Sequence, residues 1–413
     1  MSEKFPNAVR SLGAFVVAQC QRAQVYLARN GKRIRAGIPN FIPILKWLPA
    51  YPKAQLQFDL IAGLTVWGVG IPTAMAYAEL AGVPPQAGLY AACAAMFGYA
   101  IFGASRHIKV TTSSTMAVMS AAVIAPLAAS DATRFWILTS GLAFVVGIML
   151  LIAGLIKLGF IADFLSKPVV TGFVFGLAIS IAVGQLPKLF GLASGSGNVF
   201  QQLFQLLTRL PLTNVSTLAV GGGAILLISV LRRTVPQIPG GLAALAGGIL
   251  VSALLNLSAR HVSIVGEIPT GLPSFGIPDV GLFDLAYLIA GAGGIVFLAV
   301  GESLGNARAF AAKHHYAINA DQELTAMGMA NLASSVSQGM TVDASLSQSA
   351  TSEAAGSRTQ LSGIVAAGLV LLTLLLLAGL FAPLPKAVLA AIVIVSVISL
   401  MDVSELRRYY AAR

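Results

Sequence analysis

Residues 338–356 read QGMTVDASLSQSATSEAAG, and in them an extended piece, a cluster of hydroxyl side chains and a short helical run follow one another. Long apolar segments flank this stretch, around 286–301 and at 361–381. In a bilayer every backbone polar group needs a partner, so non-helical backbone at membrane depth is tolerated only where protein buries it or a water-filled cavity adjoins it. We therefore expect the stretch either to join neighbouring helices through its hydroxyl groups or to form part of a binding site.

A second stretch with the same order lies about 230 residues earlier: residues 107–123 read HIKVTTSSTMAVMSAAV. Two short, interrupted segments at corresponding positions are typical of an inverted-repeat transporter, in which two half-helices meet near the bilayer midplane. Helix N-termini carry unpaired N–H groups and partial positive charge, so their meeting point attracts an anion. Serine and threonine can instead bond back to their own helix or join two helices. The matched pair favours the anion site.

The composition indicates an integral membrane protein. The 413 residues are 57% hydrophobic and 10% charged, with a mean hydropathy of +0.84. Stretches of about 20 mostly apolar residues meet the requirement for a spanning helix, and they lie at 60–81, 86–103, 135–156, 168–187, 215–231, 240–257, 285–304 and 361–381. Shorter or more polar candidates lie at 113–129, 322–337, 343–356 and 385–400, which gives about twelve segments.

The net charge of +11 is concentrated at the N-terminus, where residues 1–53 hold nine Lys or Arg and one acid, Glu3. Basic flanks stay in the cytoplasm, so we expect a cytoplasmic N-terminus. Residues 21–53 are expected along the anionic inner leaflet, with Trp47 and Tyr51 at headgroup depth. Beside so many spans, the basic arm does not indicate nucleic-acid binding. Two cysteines, Cys20 and Cys93, indicate neither a disulfide framework nor a metal cluster.

Six motifs in order resemble the sulfate permease family of anion transporters. They are DLIAGLTVWGVGIPTAMAYAELAGVPPQAGLY at 59–90, FGASRHIKV at 102–110, VGEIPTGLPSF at 265–275, GESLGNARAFAAKHHYAINADQELTAMGMANLASS at 301–335, SLSQSATSEAAGSRTQLSG at 345–363 and LPKAVLAAIVIVSV at 384–397. The resemblance covers residues 55–400. It implies an all-α polytopic membrane protein with seven spans repeated in inverted topology, a UraA-like fold whose short half-helices, spans 3 and 10, follow short strands.

The resemblance also implies a division of the chain. We expect a basic cytoplasmic arm at 1–55, a core domain of spans 1–4 at 56–160 and of spans 8–11 at 281–381, and a gate domain of spans 5–7 at 161–280. Residues 382–413 would hold span 12, the start of the second gate repeat. Relatives continue with two more spans and a soluble regulatory (STAS) domain, which this prokaryotic-type membrane domain is expected to lack, because the sequence ends at ELRRYYAAR.

Three residues depart from the family pattern near the expected site. Many relatives have Gly-Pro after the first short strand, where this chain has Thr111 and Thr112. Many also have Arg in SLSRS, where this chain has Gln348. A fixed cation is therefore missing, and an anion must be held by dipoles and hydroxyl groups or be compensated by a co-transported cation.

Candidate substrate-binding residues come from three segments. The resemblance implies that Thr73 and Tyr77 of span 1 face the anion; Pro72 frees a carbonyl beside them. An ordinary buried aromatic is the alternative for Tyr77. The beginnings of the half-helices would supply hydroxyl and N–H groups from Ser113, Ser114, Ser345, Leu346, Ser347 and Gln348.

Glu302 is the candidate cation-coupling residue, with Asn306 one turn later and Thr73 as helpers. It lies near the end of the apolar run LIAGAGGIVFLAVGESLGNA at 288–307, where acids are rare and often serve ion coupling. In cation-coupled relatives the matching region binds the cation, which implies H⁺ or Na⁺ here. The alternative is that Glu302 caps a helix or pairs with Arg308. Asp343 precedes the second half-helix and is a candidate N-cap, whereas Glu79 is expected at the membrane interface.

We expect a secondary active transporter for sulfate, bicarbonate or a dicarboxylate, working by elevator motion of core against gate in symport with H⁺ or Na⁺. A passive anion channel or an exchanger of the same fold is the alternative. An intramembrane enzyme would need a catalytic set, which we do not find, and His314-His315 is a weak metal motif. We expect no cofactor, a multi-pass protein of the cell inner membrane, and a homodimer.

Overall fold

The structure, a computed structural model, describes residues 41–128, 131–160, 167–193, 195, 198–235, 238–398 and 401. The chain divides into two compact units, Met1–Tyr51 and Pro52–Arg413. Most of the predicted N-terminal arm and the predicted chain end at 402–413 lie outside the described residues. The described part of the first unit contains a one-turn helix at Ile44–Trp47.

The second unit is built from helices that follow the predicted spans, and we number them α1 to α12. They are α1 Leu56–Leu80, α2 Pro85–Phe102, α3 Ser114–Ala128, α4 Ala132–Leu155, α5 Lys167–Phe190, α6 Val215–Thr234, α7 Gly240–Leu255, α8 Leu282–Lys313, α9 Ala320–Val336, α10 Leu346–Ala354, α11 Leu361–Leu372 and α12 Lys386–Ile398. A short amphipathic helix, Val199–Arg209, joins α5 to α6. The predicted spans are confirmed as helices, with one clear difference in length: α8 continues nine residues beyond the predicted end at 304.

Five of the described helices are long and apolar enough to cross a membrane, and they lie at Lys53–Leu80, Ala132–Leu155, Val215–Thr234, Leu282–Lys313 and Leu361–Phe381. The last of them continues α11 through a π-helical turn at Thr373–Leu377 and a 3₁₀ turn at Ala378–Phe381. Large apolar side chains are exposed on these helices, for example Ile61 at 57% and Leu376 at 70%. Exposed apolar groups outside and buried polar groups inside suit a protein that lipid surrounds.

Small residues allow the closest helix packing. α9 packs against α4 and α2, and at its crossing with α4 a Cβ added to Gly328 would lie 2.6 Å from the backbone nitrogen of Leu151. Gly88 of α2 is as tightly placed, since a Cβ there would collide with the carbonyl oxygen of Ala74 in α1. Close backbone approach through small residues is the usual way in which membrane helices associate.

Two short strands pack against α2, α8 and α9. β1, Val110–Thr111, leads into α3, and β2, Asp343–Ala344, leads into α10. The strands pair antiparallel, with Val110 opposite Ala344 and Thr111 opposite Asp343. The predicted inverted-repeat feature is therefore confirmed: each half-helix follows a short strand, and the two strands bond to each other.

The segment just before β2 is held by a buried amide side chain, that of Asn331. Asn331 of α9 is 0% exposed. Its Nδ2 donates to the carbonyl oxygens of Met327 at 3.0 Å and Val342 at 2.9 Å, and its Oδ1 accepts from the backbone nitrogen of Val342 at 3.0 Å. This amide satisfies both backbone groups of the residue before β2, as buried backbone requires.

Candidate functional site

The two half-helices begin side by side at the β1–β2 pair. The backbone nitrogen of Ser345 donates to the carbonyl oxygen of Lys109 at 3.0 Å, and the backbone nitrogen of Lys109 donates to Ser349 Oγ at 2.8 Å. These bonds tie the first turn of α10 to the residue before β1. Both helix N-termini therefore lie next to the strands, and their N–H groups add partial positive charge there.

Gln348 lies in the first turn of α10 and reaches across to α1. Its Nε2 donates to Thr73 Oγ1 at 3.2 Å, and Thr73 Oγ1 in turn donates to backbone carbonyls of its own helix, with Val69 O at 2.9 Å and Gly70 O at 3.1 Å. Gln348 is 2% exposed, and its Oε1 has no hydrogen-bond partner among the described residues. The position at which many relatives have arginine thus holds a buried neutral amide that contacts span 1.

Tyr77 lies one turn after Thr73, on the same face of α1. Its hydroxyl is within hydrogen-bonding reach of Ser114 in α3 and Ser396 in α12. The ring is buried, as is Ser114. Tyr77 therefore joins α1, the first half-helix and α12. Ser396 was not predicted, because a lone serine within the apolar run of α12 carries no distinguishing pattern.

The remaining candidate residues begin the half-helices. Ser113 Oγ accepts from the backbone nitrogen of Met116 at 3.2 Å, and Ser345 Oγ accepts from the backbone nitrogen of Gln348 at 3.4 Å. Ser347 Oγ lies 3.4 Å from Ser345 Oγ. Leu346 and Ser347 are exposed. The structure thus brings Thr73, Tyr77, Ser114 and Gln348 together in buried positions, places Ser113 and Ser345 at the helix N-termini, and leaves Leu346 and Ser347 accessible.

The N-cap of α10 is Ser345, and the alternative cap, Asp343, is wrong. Asp343 lies on β2, two residues before the cap, and its carboxyl oxygens accept no hydrogen bond from the first N–H groups of the helix. A residue must occupy the cap position itself to accept from the second or third helical N–H. Asp343 instead lies beside Glu302 of α8.

Glu302 and its helix contact β2 directly. The Glu302 carboxyl group lies beside the carboxyl group of Asp343 and the hydroxyl group of Thr115. One residue later, Ser303 Oγ accepts from the backbone nitrogen of Ala344 at 3.3 Å, and Asn306 Nδ2 donates to the carbonyl oxygen of Ala344 at 2.9 Å. Asn306 therefore fixes the strand next to the candidate coupling acid. The part of Asn306 in cation binding stays a prediction.

Buried polar atoms without a hydrogen-bond partner gather at the strands and half-helices. Within the described part of the chain they include Thr111 Oγ1, Thr112 Oγ1, Ser120 Oγ, both carboxyl oxygens of Asp343, Gln348 Oε1 and Ser352 Oγ. Buried polar groups are normally satisfied, so each exception needs an explanation. A site that receives a polar or charged solute is one such explanation, and it fits the meeting of two helix N-termini.

Charged residues at the helix ends lie in local ion pairs. Glu79, at the end of α1, pairs with Lys386 Nζ at 3.1 Å and Lys188 Nζ at 3.5 Å. Lys313 Nζ lies 2.8 Å from Glu353, which also contacts His314.

The His314 ring stacks on His107 at a centroid distance of 4.0 Å. Among the described residues, no group of three or more His, Cys, Asp or Glu is placed to hold a metal ion.

Comparison with known proteins agrees with the motifs. Residues 56–412 match the sulfate permease family. A probable sulfate transporter of Mycobacterium tuberculosis is 38% identical over 358 residues, which are 87% of this chain and 64% of that protein. Solute carrier family 26 member 6 of Homo sapiens is 35% identical over 421 residues, covering 95% of this chain and 54% of that protein. The chain thus spans less than two thirds of the length of either relative.

Two solved structures share the fold. Murine solute carrier 26 family member A9, an anion transporter in the inward-facing state, matches 90% of this chain and 66% of its own with a TM-score of 0.83 and 24% identity. The transmembrane domain of a cyanobacterium bicarbonate transporter, BicA, matches 86% of this chain and 92% of its own with a TM-score of 0.79 and 26% identity.

Proposed function

This chain belongs to the sulfate permease family, and from that premise we propose that it is a secondary active transporter that moves a small anion across a membrane. The substrate classes are sulfate, bicarbonate or a dicarboxylate. The relatives include a probable sulfate transporter and a bicarbonate transporter, so the family alone does not choose among them.

The observation that carries this proposal is the pair of half-helices whose N-termini meet at β1 and β2. N–H groups and helix dipoles at such a point attract an anion without a charged side chain. The hydroxyl groups of Ser113, Ser345 and Ser347 can add hydrogen bonds, and Thr73 and Tyr77 border the same place from α1. Dipoles and hydroxyl groups recognise charge and size, so a panel of small anions is the right probe.

The absence of a fixed cation at position 348 supports coupling to a mobile one. Gln348 is neutral and bonds Thr73, so it cannot balance the charge of a bound anion. Glu302 lies on α8 beside Asp343 of β2, and an acid within a membrane segment is typical of ion coupling. We propose that Glu302 takes H⁺ or Na⁺ together with the anion, and that Asn306 supports this role by holding β2.

Transport would follow an elevator motion. The core domain, 56–160 and 281–381, would carry the anion past the gate domain, 161–280 and 382–413. Tyr77 and Glu79 of α1 both contact residues of the gate segments, Ser396 and Lys386, and these contacts would break and re-form. The protein would act as a homodimer in the cell inner membrane, with its N-terminus in the cytoplasm.

Counterflow in proteoliposomes tests the substrate proposal. Vesicles loaded with unlabelled sulfate, bicarbonate, fumarate or succinate are diluted into the labelled anion at two pH values, with and without Na⁺. We expect protein-dependent exchange for one of these classes. If none of these anions is exchanged, the proposal that the protein is a transporter is refuted. An anion current that does not depend on H⁺ or Na⁺ would favour the passive channel.

A further inference from the structure

Asp343 is the most unusual charged residue in the described structure. It is 1% exposed, and neither of its carboxyl oxygens has a hydrogen bond of normal geometry with another protein group. Its nearest interacting groups are the Glu302 carboxyl and the Ser113 hydroxyl. A buried carboxyl group that lies beside a second acid and has no hydrogen bond of normal geometry is disfavoured in a low-dielectric interior, so its position points to a ligand.

The strand register gives Asp343 a second neighbour with the same property. Thr111 lies directly opposite Asp343 in the antiparallel pair, and residues directly opposite project from the same face of a two-stranded ribbon. Thr111 is 0% exposed, and its Oγ1 has no partner among the described residues. Two oxygen-bearing side chains therefore share one buried face without bonding each other.

The surroundings of this face are rich in oxygen, and no described lysine or arginine pairs with its acids. Glu302 lies beside Asp343 and Thr115, and in the described part of the chain neither acid forms an ion pair with a lysine or arginine. Two neighbouring carboxylates cannot both stay ionised without compensation. Carboxylate and hydroxyl oxygens are the ligands that hard cations prefer.

We propose that Asp343 is the second carboxyl ligand of the coupling-cation site. Glu302 and Asp343 together hold one monovalent cation: either a proton shared between the two carboxyl groups, or Na⁺, whose oxygen shell the hydroxyl groups of Thr111, Ser113 and Thr115 complete. This inference rests on the proposed function, since it assigns a further ligand to the cation that Glu302 takes.

The position of Asp343 explains how the cation affects the anion site. Asp343 is followed by Ala344, which Ser303 and Asn306 of α8 hold, and then by Ser345, the cap of α10. A cation between Glu302 and Asp343 draws α8 and β2 together. It thereby removes the negative charge next to the helix N-termini and orders the cap. The anion then binds only to the cation-loaded protein.

Cation-dependent thermal stability of the purified full chain in detergent tests this site without requiring transport. One arm titrates NaCl at constant ionic strength and pH 8, and the other lowers the pH without Na⁺. A ligand that binds only the folded state raises the melting temperature. We expect the wild type to be stabilised in one arm. Asp343→Asn and Glu302→Gln should each raise the half-maximal cation concentration at least ten-fold.

Glu323→Gln is the matched control. Glu323 is also a buried acid, but it accepts from the hydroxyl of Tyr99 at 2.7 Å, a bond that glutamine can replace, and it lies outside the proposed site. Its response to NaCl at pH 8 should equal that of the wild type. If Asp343→Asn yields no monodisperse protein, the same measurement is made on Asp343→Thr, because threonine is favourable in a strand. A wild-type response in either Asp343 variant, or no cation response in the wild type, would overturn the inference.

The two proposals fail in different ways. Counterflow of an anion by the wild type together with an unchanged cation response in Asp343→Asn refutes the Asp343 site and leaves the transporter intact. A cation response that depends on Asp343, with no anion exchange by the wild type, supports the site and refutes the proposed function.

Discussion

Removing the charge of Glu79 should loosen the contact of α1 with α5 and α12. The Glu79 side chain is 7% exposed and lies 3.1 Å from Lys386 Nζ and 3.5 Å from Lys188 Nζ, whose side chains are 42% and 22% exposed. At an effective dielectric constant of about 20, each pair attracts by roughly 5 kcal/mol before desolvation. Desolvation of the acid and solvent screening of the lysines cancel most of this attraction, and we expect about 1–2 kcal/mol for the cluster.

Glu79→Gln should therefore shift the equilibrium away from this arrangement by about ten-fold, because each 1.4 kcal/mol changes a population ratio ten-fold. Pulsed EPR between spin labels at two exposed positions, Leu64 of α1 and Ile179 of α5, measures the distance distribution. We expect Glu79→Gln to broaden it or to add a second distance. The double reversal Glu79→Lys with Lys386→Glu should restore part of the wild-type distribution.

Asp284→Asn is the control for Glu79→Gln. It removes one carboxylate from the pair with Arg134 at 3.0 Å, and this pair joins α4 to α8, away from α1. The control should leave the distance distribution unchanged. An unchanged distribution in Glu79→Gln, in low salt and in a vesicle of the same lipids, would refute the reasoning that this ion cluster holds the helices together.

Three further substitutions test the site and its support. Gln348→Arg places a fixed cation beside Thr73, and we expect anion binding, measured by isothermal titration, to become several-fold less dependent on the coupling cation; equal dependence in variant and wild type would contradict this. Asn331→Ala leaves the two buried backbone groups of Val342 unpaired, at about 1–3 kcal/mol each, so the melting temperature should fall by several degrees, whereas Asn306→Ala, which removes one bond, should lower it less.

The apolar pattern predicted most of the fold because bilayer thickness sets helix length. It placed the end of α8 too early, since charged residues from Glu302 to Lys313 lower the hydropathy of its last turns. Near this point Ser303 and Asn306 bond β2 from α8, and such bonds cannot be read from a hydropathy profile.

The site could be predicted only as far as local pattern reaches. The hydroxyl clusters at 111–115 and 345–349 indicated the half-helices, since their chemistry is local. Asp343 was misassigned as a cap because its partner, Glu302, is 41 residues away in sequence and meets it only after α8 packs on β2. Asn331 and Ser396 were missed for the same reason: the role of each depends on a partner in another element.

Accumulation of the labelled anion against its concentration gradient tests the central claim most directly. Proteoliposomes containing wild type or Glu302→Gln receive an inward gradient of H⁺ or of Na⁺, and counterflow on the same vesicles reports whether each protein binds and exchanges the anion. We expect that one gradient drives accumulation by the wild type, and that Glu302→Gln abolishes accumulation. Accumulation to the same level by Glu302→Gln would contradict it.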